Sequence, residues 1–182
     1  RDSSTSRGLG DVYKRQVGKG LHVSISPSVT PLFTRERVKA VQDAGVSVMS
    51  MSLDGGSAET HDAFRGFPGT FDRTIEACHM LNELGMRFQL NTVFTAKNIH
   101  EAPQMLKNAI DLGAFMFYTF MLVPTGRGQH LDMLTPHERE DVLHWLHDNS
   151  TRIAIKTTEA PQYRRCLLYT SDAADDPLCV DL

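Results

Sequence analysis

Between Leu21 and Thr157 the chain alternates short strand-like runs with amphipathic stretches, strand to helix and back, four times over. Three of the amphipathic stretches stop at a glycine (Gly45, Gly85 and Gly113), the residue that most readily takes the left-handed conformation ending a helix. Leu21–Ser26 (L-H-V-S-I-S) reads as a strand closed by Pro27 and Pro31, and Thr34 reads as the cap of a helix carrying Val38 and Val41. Ser47–Leu53 reads as a buried strand, followed by a polar, glycine-rich loop and a helix capped at Thr70 with Phe71, Ile75, Cys78 and Leu81 on one face. Arg87–Phe94 is the next strand, and Asn98 with Glu101 three residues on reads as a capping box. The near-continuous apolar run Phe115–Val123 reads as a strand covered on both faces. Thr135-Pro136 with Glu138 starts a helix whose core face is Val142, Leu143 and Leu146, and Ile153–Thr157 is the last strand. Short connections that always return the chain to a strand imply a parallel sheet with right-handed crossovers. The fold class is therefore α/β, and a βα barrel, whole or partial, and an open doubly wound sheet both satisfy the pattern.

The two ends read differently from the middle. Asp11–Gln16 (D-V-Y-K-R-Q) can be encoded by DNA whose reverse complement, read in another frame, gives C-L-L-Y-T-S, the sequence of Cys166–Ser171. Residues 1–16 and 166–182 accordingly resemble translated library adapters and are expected to be non-native flanks, leaving 17–165 as one domain. That domain retains Cys78 alone of the three cysteines, which leaves no disulfide framework or cysteine metal site and favours a reducing, cytoplasmic setting. Its fifteen Lys and Arg balance sixteen Asp and Glu without a block of either sign, so neither nucleic acid nor a membrane surface is an expected partner.

Chemistry concentrates after the second strand, in S-L-D-G (Ser52–Gly55) followed by H-D-A-F-R (His61–Arg65). A guanidinium can clamp a carboxylate in two bonds while a hydroxyl adds a directed third, so Ser52 and Arg65 suit a small anionic ligand. Asp54 reads as a turn residue that orients the loop or as a ligand contact. The Rossmann glycine fingerprint is missing, and G-F-P-G at Gly66–Gly69 lacks the residues of a phosphate loop. His144 and His147 lie one helical turn apart but read as a solvated face, Cys78 as a buried small hydrophobe, and His61 has no Ser or Cys at a strand elbow to form a hydrolase triad. Arg127, between Gly126 and Gly128, reads as a loop arginine or as a contact to substrate or cofactor.

The order S-L-D-G, H-D, F-R, then L-N-T-V-F-T (Leu90–Thr95), L-V-P-T-G-R-G (Leu122–Gly128) and K-T-T-E-A-P-Q-Y-R-R (Lys156–Arg165) resembles the third to sixth strands of radical S-adenosylmethionine (SAM) enzymes, particularly the SPASM branch with an extra iron–sulfur domain. The resemblance implies a partial TIM-barrel-like core in which Ser52 and Arg65, with Asp54 beside them, hold the SAM carboxylate. It places Asn91 against the ribose, and the backbone near Leu122 and Val123 along the adenine. It also implies a [4Fe–4S] cluster, reductive cleavage of SAM to a 5′-deoxyadenosyl radical for hydrogen abstraction, an electron donor, and a small-molecule, haem-precursor or peptide substrate. The family's C-x3-C-x2-C cluster motif is absent, so cluster ligands and cluster assembly are not expected of this chain, and no catalytic or metal-binding residue is assigned. Two other readings remain: a βα-barrel lyase or aldolase using Asp54 and Arg65 on a phosphorylated substrate, for which Lys156 is the one roughly placed Schiff-base lysine, and an inert interaction domain.

Overall fold

The computed structural model describes residues 4–124, 126 and 132–172. Five strands, β1 (Val23–Ile25), β2 (Val46–Ser52), β3 (Arg87–Phe94), β4 (Met116–Met121) and β5 (Ala154–Thr158), form one parallel sheet in chain order. Sequential order without a reversal is the order of a βα barrel, because a doubly wound sheet changes direction at a switch point. The sheet does not close on itself, so it is a partial barrel.

Around it run α1 (Ser4–Val17), α2 (Arg35–Asp43), α3 (Ala58–Arg65), α4 (Thr70–Glu83), α5 (Ala102–Asp111), α6 (Pro136–Asp148) and α7 (Tyr163–Asp172). Strand side chains alternate between faces, and the outward set is apolar: Met49, Met51 and Leu53 on β2 and its end, Phe88, Leu90 and Phe94 on β3, Phe117 and Met121 on β4. These pack with Val38, Leu81, Leu106 and Leu146 of the helices to make the core, at roughly 1.5–3 kcal/mol for each fully buried large side chain.

The opposite, concave face carries a row of polar side chains. Pairing across the sheet runs Ser52 to Asn91 to Tyr118 to Lys156, one residue per strand. Gln89 donates to Asn91 Oδ1 at 2.8 Å, the Tyr118 hydroxyl meets Thr158 Oγ1 at 2.6 Å, and Lys156 Nζ sits 4.8 Å from the Tyr118 ring centre. This corrects the expectation that β4 is covered on both faces: its residues alternate between half-buried and buried, because helices cover only one side of an open sheet.

Three local expectations also change. The glycine-rich loop after β2 contains a helix, α3, and α4 starts with Thr70 as its first residue after Gly69. Asn98 and Glu101 do not form a capping box; a 3-10 turn, Ile99–Glu101, precedes α5, and both side chains reach other elements. The capping box at Thr135 and Glu138 is present as expected.

Candidate functional site

The site grows from the carboxyl end of β2. Gly55 and Gly56 let α3 start directly against the strand end: a Cβ on Gly55 would lie 2.4 Å from the His61 backbone nitrogen, and one on Gly56 2.8 Å from Gln104 Cβ. The first turn of α3 is held by Glu101, which accepts from the Gly56 N–H (2.6 Å) and from the hydroxyls of Ser57 (3.0 Å) and Thr60 (2.8 Å). Burial raises the Glu101 carboxyl, but the bonds from Thr60, Gly56 and Ser57 outweigh it and hold it below its ordinary value.

Asp54 is the hub. Its Oδ1 accepts from the Val93 N–H at 2.8 Å, its Oδ2 pairs with the Arg65 guanidinium, its N–H donates to His61 Nδ1 at 2.9 Å, and its carbonyl accepts from Asn98 Nδ2 at 3.0 Å. At 1% exposure it faces inward, and burial pushes its carboxyl up while Arg65 and the Val93 amide pull it down. Arg65, with 38% of its side chain exposed, is held at its inner side by Asp54 and opens toward the cleft.

α4 begins at a glycine, so its first turn needs a cap from elsewhere, and Asp62 supplies it. Asp62 Oδ1 accepts from the Thr70 hydroxyl (2.7 Å) and the Phe71 N–H (2.8 Å), and Oδ2 from the Gly69 N–H. The Thr70 bond above all draws its carboxyl down to about 2. Gly66 and Gly69, both at φ +74, fold the intervening F-P segment so that exposed Phe67 stands at the cleft's rim.

A cleft of about 630 Å³ opens here, between the segment Ser26–Pro31 after β1 and a wall made of Ser52, His61, Arg65, Phe67, Thr70, Arg73 and Thr74. That volume suits one small ligand. Ser52 and Arg65 therefore meet on one cavity, Asn91 stands beside Ser52 on the same concave face, and Asp54 supports Arg65 from behind. Half-buried Leu122 and exposed Val123 follow β4, away from this cleft's lining. Arg127 lies outside the described residues.

His144 pairs with Glu140 at 3.2 Å and His147 with Asp148 at 3.4 Å, and no group of three metal-binding side chains occurs among the described residues. Cys78 is fully buried in the core, with its thiol pushed up to about 12 by burial, and cannot serve as an accessible thiolate. Among the described residues no helix is long and apolar enough to cross a membrane. Sequence reasoning missed His61, Asn98 and Glu101 as parts of this corner. The placement of H-D-A-F-R a few residues after D-G-G was the available signal for His61.

Residues 7–109 match the model of the Radical SAM superfamily. The chain belongs to the radical SAM superfamily. Enzymes of this superfamily use SAM and a [4Fe–4S] cluster. Among relatives, an AdoMet-dependent heme synthase of Methanosarcina barkeri is 40% identical over 150 residues, covering 81% of this chain and 43% of that protein. A PqqA peptide cyclase of Methylocella silvestris is 29% identical over 113 residues, covering 62% and 30%. The structure of anSMEcpe with bound AdoMet and the Cp18Cys peptide superimposes with a TM-score of 0.63 at 18% identity, covering 98% of this chain and 51% of that one, which establishes the likeness of fold. The radical SAM chain spans less than half the length of the heme synthase it matches.

The donor set fits one cofactor and not the other. Ser52 and Arg65 at an accessible cleft suit the carboxylate of SAM. The described cysteines, Cys78 and Cys166, are both buried and lie on different helices, so the described residues offer no cluster site.

Proposed function

We propose that this chain forms the SAM-binding part of a radical SAM enzyme acting on a haem-precursor substrate. The observation that carries the reading is the convergence of Ser52 and Arg65 on one cleft at a strand's carboxyl end, in a chain of this superfamily. Ser52 donates its hydroxyl to the SAM carboxylate and Arg65 adds a charge-assisted clamp, while Asp54 keeps the guanidinium aimed into the cleft. Asn91 lies along the ribose and the backbone at Leu122 and Val123 along the adenine. The chemistry supplied by SAM with a reduced cluster is reductive cleavage followed by hydrogen abstraction from substrate, and the protein's part is to orient the cofactor and exclude water. The haem-precursor class rests on the heme synthase relative, which exceeds the peptide cyclase in identity and coverage. Residues 17–165 are the domain that does this work.

Binding tests the reading. Titration of the chain with SAM, followed by NMR, should show Arg65→Lys raising Kd about tenfold, because a charge-assisted bidentate contact contributes about 1.5–3 kcal/mol. Ser52→Ala should raise it by a smaller factor. Unchanged affinity in both variants rejects the site.

A further inference from the structure

On the wall of the cleft built by β2, α3 and α4, most polar side chains are already committed. Arg73 gives its Nε to the Gly69 carbonyl (2.9 Å) and a terminal nitrogen to the Pro68 carbonyl (3.1 Å). The Thr70 hydroxyl goes to Asp62 and the Thr74 hydroxyl to the Thr70 carbonyl (2.8 Å). The two nearby carboxylates point elsewhere, Asp54 inward and Asp62 onto the start of α4. Ser52, His61, which lines the cleft at 1% exposure, and the part of the Arg65 guanidinium not paired with Asp54 remain.

His61 is held at one nitrogen and one ring edge. Nδ1 accepts the Asp54 N–H at 2.9 Å, and the ring meets Phe71 in an edge contact with centres 6.0 Å apart at 65°. An imidazole that accepts at Nδ1 carries its proton on Nε2 when neutral. Burial, helped by Arg65 and opposed by Asp62, brings its pKa down to about 4, so the ring is neutral at physiological pH. No other described residue bonds Nε2. His61 therefore cannot act as a general base toward the cleft; its remaining nitrogen is a donor.

We propose that His61 donates its Nε2–H into the cleft, to the same carboxylate that Ser52 and Arg65 receive, making a site of three donors whose nearest carboxylate, Asp54, is already paired with Arg65. This rests on the SAM-binding reading above. Its role is ligand positioning and selectivity for the carboxylated cofactor.

Two substitutions separate the ring's nitrogens. In His61→Asn the side-chain oxygen overlays Nδ1 and keeps the Asp54 contact but removes the Nε2 donor, whereas His61→Gln keeps a donor near Nε2 and loses the other acceptor. NMR titration of the whole chain with SAM should show at least tenfold weaker binding for His61→Asn and less than threefold for His61→Gln. With 5′-methylthioadenosine, which lacks the carboxylate, wild type and His61→Asn should bind alike. In the wild-type chain, the ¹⁵N shift of His61 Nε2 should move on adding SAM and stay fixed on adding methylthioadenosine, a measurement that needs no variant to fold. Weakening by Ser52→Ala with an unmoved Nε2 signal, or with His61→Asn binding SAM as wild type does, overturns the role of His61 alone. Affinity unchanged in Ser52→Ala and His61→Asn together overturns the carboxylate site on which it rests.

Discussion

The carboxyl ends of β2 and β5 start from the same plan, a parallel strand presenting polar residues to the concave face, and are finished differently. After β2, Asp54 alone ties β3, α3 and the segment before α5 together, with Glu101 and Asn98 adding further cross-links. At β5, Thr158 meets Tyr118 and Lys156 rests on the same ring, while Lys156 and the following Glu159 are exposed. The first corner has its charges and donors fixed before a ligand arrives. The second presents side chains whose positions rest on a single neighbouring strand. Buried polar networks are costly when half-satisfied, so a strand end carrying one must have all its partners in place.

Removal of Arg65 is the largest expected way to break this contrast. In Arg65→Ala the Asp54 carboxylate stays buried without its cation, and the expected loss is about 3–5 kcal/mol of unfolding free energy at pH 8. Asp54→Asn on top of it should restore much of that loss, since the pair is one unit and the two changes do not add. Denaturant unfolding of both variants decides it; equal stability of the single and double variants would mean that Asp54 is not the hub.

A change of pH acts on the same corner less strongly. The folded pKa of His61, about 4, lies below its ordinary value, so below about pH 6.5 the unfolded chain takes up a proton that the native chain refuses. The contribution of His61 is therefore full above that pH and falls as pH drops toward 4, by about 2–3 kcal/mol for a ring that is 1% exposed. Melts across pH 4–8 should show this decline in wild type and its absence in His61→Asn. A pH-independent difference would place His61 outside the linkage.

The smallest effect belongs at β5. Thr158→Val removes one hydrogen bond at a half-exposed hydroxyl and should cost below about 1.5 kcal/mol. A loss rivalling that of Arg65→Ala would erase the distinction between the two corners.

The strands were legible because alternation along Arg87–Phe94 and along Met49–Leu53, at the end of β2, puts apolar side chains on one sheet face. The helix α3 was not, since its buried residue is His61, a polar side chain, and A-E-T-H-D-A-F-R carries no apolar stripe. Asn98 and Glu101 have capping-box spacing, and nothing local reveals that Glu101 binds residues 41 to 45 positions earlier. Ser52 and Arg65 could be named as partners from their types, but the ion pair that seats Arg65 depends on how α3 folds back over the strand.

The four-way bonding of Asp54 also sets an order of events during synthesis. Its amide partner at His61 and its cation at Arg65 are made within a dozen residues of it, whereas Val93 and Asn98 follow only after all of α4 and most of β3. A nascent chain ending inside α4 holds a carboxylate half-provided with partners, and the pocket wall around Ser52 and Arg65 becomes rigid when β3 docks. Completion of this corner thus waits on the ribosome reaching Asn98, a delay written into the chain by where Asp54 finds its last two bonds.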